Sequence, residues 1–257
     1  MGNSTSRRRV LVTGASSGIG EAFVRYYAAQ GHELVLVARD AAQLQRVADD
    51  VRRAGASAEI VVADLSHPDG IEQVGVVCGE VDVLVANAGI THAASIGSTD
   101  RDTLDEIAYL MSAGVVRLCE IVVPRMLSRS GGDVVIVSSI AAFTPMRKAG
   151  PYAAAKSHAT AYARSLALEV APRGVRVVAV CPGYVRTALH ERAGLEHLTR
   201  KVPEWMWLSP DKVVAAAMRA LRRGKTVIVP GAVYRAVLPF LSSSLAQSAW
   251  RRLTRRN

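Results

Sequence analysis

The chain has 257 residues, half of them hydrophobic, which is enough to bury the core of one α/β domain. It has no apolar run long enough to cross a bilayer and no apolar signal core near its start, so the sequence predicts a cytoplasmic protein. Its three cysteines lack CxxC or Cys/His spacing, which argues against a disulfide framework and against a metal site.

The net charge of +10 is concentrated at the two ends of the chain. Three arginines occupy positions 7–9 and four lie within 251–256, which leaves about +3 for the rest. That remainder does not favour nucleic acid as a partner. The simplest interpretation is two solvated basic ends. Apolar residues near the C-terminal arginines, including Phe240 and Trp250, leave open weak contact with anionic lipid through the C-terminal segment.

Short β-branched runs alternate with longer helical stretches along the chain. The predicted strands are RVLVT, ELVLVA, AEIVVA, VDVLVA, GDVVIVS, VRVVAV and KTVIVP. The predicted helices cover residues 19–30, 41–54, 101–130, 152–171 and 210–223. Nearly continuous apolar strands are typical of a parallel sheet that is covered on both faces. The order predicts a single-domain, doubly wound, Rossmann-type α/β fold of about seven strands.

A glycine-rich segment, TGASSGIG at Thr13–Gly20, follows the first strand and opens the first helix. Gly14 would permit the sharp turn, while Gly18 and Gly20 would let a pyrophosphate approach the backbone. The N-terminus of a helix favours such an anion, because its amides are unpaired and its dipole is positive there. The strand-turn-helix setting makes this a dinucleotide-binding signal instead of a chance spacing of glycines.

The second strand ends in Ala38 and Arg39, with Asp40 one position later. An acidic residue at this strand end would pair with a free 2′-hydroxyl, whereas a guanidinium suits a 2′-phosphate. The sequence therefore favours NADP(H) over NAD(H). The alternative is that Arg39 is an ordinary exposed loop arginine.

Three polar residues form the candidate catalytic set. Tyr152 and Lys156 are four apart on a predicted helix and share one face, and Ser139 ends the fifth predicted strand. The carboxyl ends of parallel strands form the edge where open α/β sheets bind ligands. A nearby ammonium favours phenolate, so we expect Lys156 to lower the pKa of Tyr152 toward a useful acid/base range.

With these motifs in order, the chain resembles the short-chain dehydrogenase/reductase family, from about Arg9 to Pro230. The segment NAG at Asn87–Gly89 is similar to the element that borders the cofactor in that family, Asp64 is similar to the acidic residue beside the adenine, and CPGYVRT resembles the nicotinamide-end segment. The resemblance implies these cofactor-binding residues: Thr13, Gly14, Ser16, Ser17, Gly18, Ile19, Gly20, Arg39, Asp64, Leu65, Asn87, Ala88, Gly89, Tyr152, Lys156, Pro182, Gly183, Val185 and Thr187.

The resemblance also implies a reaction and an assembly. NADPH would supply hydride to a carbonyl carbon, Tyr152 would protonate the oxygen, Ser139 would polarise it, and Lys156 would also hold the nicotinamide ribose. The helices at 101–130 and 152–171 are apolar on more than one face. In the family the equivalent helices pair across a two-fold axis, so we expect a homodimer or homotetramer.

One position departs from the family pattern. Where members usually carry an asparagine that helps hold a proton-relay water, this chain has Met111 within MSAG. A thioether is at best a weak acceptor and cannot replace an amide. Two interpretations remain open: a working reductase with an altered relay, or a site repurposed for non-redox chemistry or for nucleotide binding.

The segment between Thr187 and Ser209 is irregular and predicts a lid over the nicotinamide. Its tryptophans, Trp205 and Trp207, could line a pocket for a bulky hydrophobic ketone or aldehyde, or could pack the lid onto the body. Phe143 and Met146 could form the opposite wall, whereas His190 and His197 are expected to face solvent. The predicted divisions are a basic flexible tail at 1–8, a Rossmann domain at 9–230 with its lid at about 187–209, and a helical extension with a basic tail at 231–257.

Overall fold

The computed structural model of the protein describes residues 7–90, 95–144, 148–187 and 202–241. Its strands are β1 Arg9–Thr13, β2 Glu33–Ala38, β3 Ser57–Val62, β4 Val83–Ala86, β5 Gly132–Val137, β6 Val175–Val180 and β7 Val227–Ile228. They form one parallel sheet in the order β3-β2-β1-β4-β5-β6-β7. The predicted seven-stranded Rossmann-type sheet is therefore confirmed, although β7 is much shorter than its sequence run.

Helices cover both faces of the sheet. They are α1 Gly18–Ala28, α2 Ala41–Arg53, α3 Pro68–Val77, α4 Arg101–Ala108, α5 Gly114–Ser128, α6 Gly150–Val170, α7 Pro210–Arg222 and α8 Ala232–Leu241. α1 packs with α2 and α7 in one layer, and α5 packs with α3 and α6 in the other. α3, which begins with Pro68 in its first turn, is absent from the sequence prediction.

The predicted helix at 101–130 divides into α4 and α5 around a π-helical turn, Tyr109–Ala113. Within the described ranges this stretch, Arg101–Ser128, alone is long and apolar enough to cross a membrane, and 44% of its most apolar window is buried inside the protein. Ile107, Leu118 and Met126 are among its fully or almost fully buried side chains. Its apolar character is therefore that of a helix packed on a sheet.

An ion-pair network at the amino-terminal edge of the sheet joins β5 and β6 to Arg8, the residue before β1. The carboxylate of Asp133, on β5, is 1% exposed and accepts two hydrogen bonds from Arg176 on β6, at 2.7 and 3.0 Å. Arg8 donates to the same carboxylate at 2.6 Å and to the Asp82 carbonyl at 2.9 Å. Arg8 lies in the segment predicted to be a free tail, so that tail is bound to the fold at least from Arg8, because a buried carboxylate needs its cations.

Candidate active site

Thr13 and Asn87 join the ends of β1 and β4, where the strand order reverses. Thr13 Oγ1 accepts from the amides of Asn87 and Ala88, both at 3.0 Å, and the Asn87 side chain donates to the Thr13 carbonyl at 2.9 Å and the Gly14 carbonyl at 3.2 Å. A Cβ atom on Gly20 would lie 2.1 Å from the Gly14 carbonyl oxygen, so this turn accepts only glycine there. The crevice at such a reversal is where open α/β sheets bind ligands.

The glycine turn presents the N-terminus of α1 to that crevice. Ser17 is the N-cap, and its side chain makes no capping hydrogen bond. Gly18 has a φ of +62°, and a Cβ atom there would lie 2.9 Å from Cγ2 of Thr187. The first helical amides are thus left for an external acceptor, with Thr187 directly across from them. A pyrophosphate suits this turn, because the amides at the start of a helix and the helix dipole favour an anion there.

Two charged residues occupy the neighbouring edge, beside the ends of β2 and β3. Arg39 is 60% exposed and lies 3.6 Å from the carboxylate of Asp64. Burial alone would raise the pKa of Asp64, but hydrogen bonds from Ser66 and the charge of Arg39 outweigh it and hold that pKa below its usual value. Asp40 accepts from the Gln43 amide at 3.0 Å and so caps α2. Arg39 is therefore an exposed cation at this strand end, whereas Asp40 is engaged as a helix cap.

Ser139, Tyr152 and Lys156 come together at the carboxyl end of β5. Ser139 opens the short helical turn Ile140–Phe143, and its hydroxyl accepts from the Ala141 amide at 3.2 Å. It also lies close enough to Tyr152 to influence the pKa of that phenol. Lys156 Nζ donates to the Val137 carbonyl at 2.9 Å and lies 5.9 Å from the centre of the Tyr152 ring. The predicted shared face of α6 is present, and the three groups border one space.

The electrostatics of this trio differ from the sequence expectation. Burial raises the pKa of Tyr152, and the nearby Ser139 hydroxyl only partly offsets that increase. Burial also lowers the pKa of Lys156 to about 8. The expected lowering of the Tyr152 pKa by Lys156 is thus wrong for the protein alone, because removal from water disfavours both charged forms. Tyr152 is a neutral phenol, which suits a proton donor.

The nicotinamide-end segment forms a paired stem with the residues before α7. Val185 bridges Leu208 in parallel register, with the Leu208 amide donating to Tyr184 at 2.9 Å and the Arg186 amide donating to Leu208 at 3.0 Å. The rings of Tyr184 and Trp207 lie 5.4 Å apart. Trp207 thus packs the stem, whereas Trp205 is 65% exposed. The predicted lid residues at 188–201, including His190 and His197, and Met146 of the opposite wall lie outside the described residues.

The sequence matches a family model described as short chain dehydrogenase over residues 8–197. The chain belongs to the short-chain dehydrogenase/reductase family. A Drosophila melanogaster relative, dehydrogenase/reductase SDR family protein 7-like, is 30% identical over 251 residues, which are 93% of this chain and 77% of that protein. Family membership makes the protein an oxidoreductase of the NAD(P)-dependent type.

Two solved structures are similar along nearly the whole chain. A short-chain dehydrogenase from Sphingobium yanoikuyae, in complex with NADPH, is 29% identical and superposes with a TM-score of 0.83 over 96% of this chain and 95% of that one. The bulky-bulky ketone specific alcohol dehydrogenase from Comamonas testosteroni is 25% identical, with a TM-score of 0.79 over 98% and 92%. The sheet, including the edge that carries the candidate site, is therefore similar to the sheet of these two solved family structures.

Met111, the departure from the family pattern, lies inside the site. It is 1% exposed, within the π-helical turn between α4 and α5. A Cβ atom on Gly89 would lie 3.4 Å from Met111 Sδ and also 3.4 Å from Lys156 Nζ. The thioether and the ammonium therefore both border Gly89. Single-turn π-helices occur often at functional sites, and this one directs residue 111 toward the lysine.

Two buried hydroxyls that sequence reasoning missed hold the backbone behind Lys156. Ser138 and Thr160 both donate to the Lys156 carbonyl, at 2.8 and 2.9 Å, and their oxygens lie 2.7 Å apart. They fix this turn of α6 against the end of β5, and so they hold Lys156 next to Val137 and Tyr152. The available signals were the serine pair at 138–139 and a threonine one helical turn after Lys156.

The remaining residues that were predicted to bind the cofactor differ in how far they are buried. Ser16 and Pro182 are buried, while Ala88, Gly89 and Gly183 are partly exposed at the strand edge. The side chains of Leu65 and Val185 are 5% exposed and belong to the core, as does the packed face of Ile19. The side chains of Leu65 and Val185 thus serve mainly to pack the core, whereas Ile19 keeps part of its side chain exposed.

Proposed function

We propose that the protein is an NADPH-dependent carbonyl reductase that acts on a hydrophobic ketone or aldehyde. The observation that carries this proposal is the convergence of Ser139, Tyr152 and Lys156 beside the glycine cradle. When bound, the nicotinamide supplies the hydride. Ser139 donates a hydrogen bond to the carbonyl oxygen, and Tyr152 transfers its hydroxyl proton to that oxygen as the carbon is reduced, which yields an alcohol and leaves tyrosinate.

Lys156 assists the proton transfer from Tyr152 through its charge and its fixed position. Its ammonium stabilises the tyrosinate that forms, and its fixed position allows it to bind a ribose hydroxyl as well. The Val137 carbonyl and the Ser138–Thr160 pair hold this lysine in place. The order of events requires Tyr152 to be neutral before reduction, and burial favours that state.

The proposal of NADP(H) rests on Arg39. This arginine is exposed beside the adenosine end, and its partner Asp64 is also 44% exposed, so a 2′-phosphate can compete for the guanidinium. The neighbouring Asp40 is engaged as a helix cap. The similar Sphingobium yanoikuyae enzyme was solved with NADPH, which is in line with this assignment.

Apolar surface around the site supports a hydrophobic substrate. Phe143 lies in the turn after Ser139, and Tyr184, Met206 and Trp207 lie in or beside the stem; all four are partly buried and supply apolar surface near the site. The similar Comamonas testosteroni enzyme is specific for bulky-bulky ketones. We extend the proposal to a cytoplasmic homodimer or homotetramer, with the exposed Leu168 on α6 as part of an apolar contact surface.

The proposal is tested by NADPH consumption with a panel of hydrophobic ketones and aldehydes, with NADH as the alternative cofactor. Turnover should fall at least a hundredfold in Tyr152→Phe, because the proton donor is removed while the ring remains. Tyr26→Phe, a hydroxyl deletion on the opposite layer, is the matched control. Turnover that survives Tyr152→Phe would contradict the proposed role.

A second candidate function is favoured by Met111 alone. A site that binds NADP(H) tightly but reduces no carbonyl would be a repurposed family member, either a non-redox isomerase or cyclase or a nucleotide-binding protein. The same panel separates the two candidates, because the second predicts cofactor binding without consumption.

A further inference from the structure

Tyr234, on the C-terminal helix α8, reaches into the stem beside the nicotinamide-end segment. The residue is 6% exposed. Its hydroxyl accepts from the Tyr184 amide at 3.0 Å and donates to the Met206 carbonyl at 2.7 Å. One oxygen thus satisfies a donor on one arm of the stem and an acceptor on the other.

The position of this hydroxyl within the ladder is unusual. A regular parallel ladder, continued from the two bonds at Leu208, would pair the Tyr184 amide directly with the Met206 carbonyl. The Tyr234 hydroxyl is inserted between those two groups and takes both bonds. It therefore holds the arms apart at this end of the stem, and it ties their spacing to α8.

The ring of Tyr234 is fitted as closely as its hydroxyl. A Cβ atom on Gly183 would lie 2.1 Å from Cζ of the ring, so the backbone of Gly183 lies flat against it. At the start of α8, Gly231 has a φ of +88°, and a Cβ atom there would lie 3.1 Å from Cδ2 of the same ring. The ring is enclosed between two glycines and has little freedom to shift.

The segment that Tyr234 holds connects the two halves of the site. The Pro182 carbonyl accepts from the amide of Ile140, directly after Ser139, at 2.9 Å. At its other end Thr187 lies against Gly18 of the glycine turn. α8 also packs on the turn Ile140–Phe143. A displacement at Gly183 or Tyr184 is therefore transmitted to both sides of the nicotinamide position.

We propose that Tyr234 is a positioning residue for the nicotinamide half of the cofactor site, acting through Gly183 and Tyr184 without touching the reacting atoms. The inference rests on the cofactor orientation in the proposed function, with the nicotinamide beside Pro182–Thr187. It assigns α8 a role in the active site. Tyr234→Phe keeps the ring against Gly183 but removes the inserted oxygen, so the arms either pair directly or lose both partners.

The test compares two ligands that differ at the nicotinamide. Dissociation constants of NADPH and of 2′-phospho-ADP-ribose, which lacks the nicotinamide ring, are measured by calorimetry for the wild type, Tyr234→Phe and the control Tyr26→Phe. We expect Tyr234→Phe to weaken NADPH binding about five- to tenfold and to leave 2′-phospho-ADP-ribose within twofold. Tyr26→Phe should change neither. If NADH proves the better cofactor, NADH and ADP-ribose replace this pair.

Equal weakening of both ligands, or weakening of neither, would overturn the inference. Circular dichroism establishes that each variant is folded. If Tyr234→Phe does not fold, Tyr234→Trp provides the second variant: its larger ring must displace Gly183, and the same selective loss of NADPH binding is expected. Because binding is measured without turnover, failure of the carbonyl panel leaves this result interpretable, and the two proposals can fail separately.

Discussion

Replacing Met111 by asparagine tests whether the thioether limits proton supply to Lys156. The Oδ1 and Nδ2 atoms of asparagine stand as many bonds from the backbone as Sδ of methionine. An amide at this position would therefore occupy the sulfur's place beside Gly89 and Lys156. The variant also loses the terminal methyl group, and the space that it vacates is of the order of one water molecule, about 30 Å³.

The substitution has a stability cost and a kinetic gain. Met111 is 1% exposed, so losing its apolar contacts and burying an amide should lower the free energy of unfolding by about 2–4 kcal/mol. For a chain of this size that corresponds to a decrease in Tm of about 5–15 °C. Because general acid–base catalysis is worth about 10²–10⁴ in rate and a relay governs only part of it, we expect kcat to rise about three- to tenfold.

The assay is steady-state turnover in H₂O and in D₂O, well below the Tm of each variant. Met111→Asn should raise kcat and reduce the solvent isotope effect, because proton delivery no longer limits the rate. Met111→Leu, which keeps the volume but lacks a polar atom, should leave both quantities near the wild-type values. A folded Met111→Asn variant that binds NADPH normally, with unchanged or lower kcat, would refute the reasoning.

Three further predictions address cofactor choice, Lys156 and the sheet edge. Arg39→Ala should weaken NADPH binding about tenfold or more and leave NADH within twofold, measured by fluorescence titration; equal changes would make Arg39 an ordinary loop residue. Burial lowers the pKa of Lys156 from 10.5 to about 8. The charged lysine therefore lowers the free energy of unfolding by its full amount below about pH 8, and this effect shrinks to zero as the pH rises to 10.5. Urea titrations should therefore find Lys156→Met, inactive in turnover, more stable than the wild type at pH 7, with the difference shrinking toward pH 10; a pH-independent difference would contradict this. Asp133→Asn should lower the free energy of unfolding by about 1–3 kcal/mol, because it removes the charge from the hydrogen bonds that Arg8 and Arg176 donate, while both arginines stay partly in water; an unchanged free energy of unfolding would show that the network is unimportant.

Local patterns predicted most of the fold and the outline of the site. The seven strands follow from β-branched apolar runs, and the glycine turn and the Tyr152–Lys156 pair follow from spacings of a few residues. Tertiary contacts decided what the sequence missed. The Tyr152 pKa depends on burial, which no four-residue spacing reveals, and the Ser138–Thr160 pair forms only when α6 packs on β5. The π-helical turn at Met111 is likewise absent from a helical apolar pattern.

The long-range roles of Arg8 and Tyr234 were also beyond sequence reasoning. Arg8 meets Asp133 across 125 positions, and nothing near either residue marks the other as its partner. Tyr234 appeared only as part of a C-terminal extension, whereas the structure places its hydroxyl 50 positions away, at Tyr184. Both contacts depend on how distant elements are packed together.

The Asp133 network also has a consequence for the order in which the chain folds during its synthesis. The strands β3, β2, β1 and β4 are adjacent in the sheet and leave the ribosome before Asp133 does. They can therefore pair while Arg8 still lacks its carboxylate, and Asp133 itself must wait for Arg176 on β6 before both its cations are present. The nascent first half thus carries an unmatched positive charge at one edge until the second half arrives. Pairing of β5 with β4 supplies the carboxylate for Arg8, and pairing of β6 then supplies the second cation for Asp133.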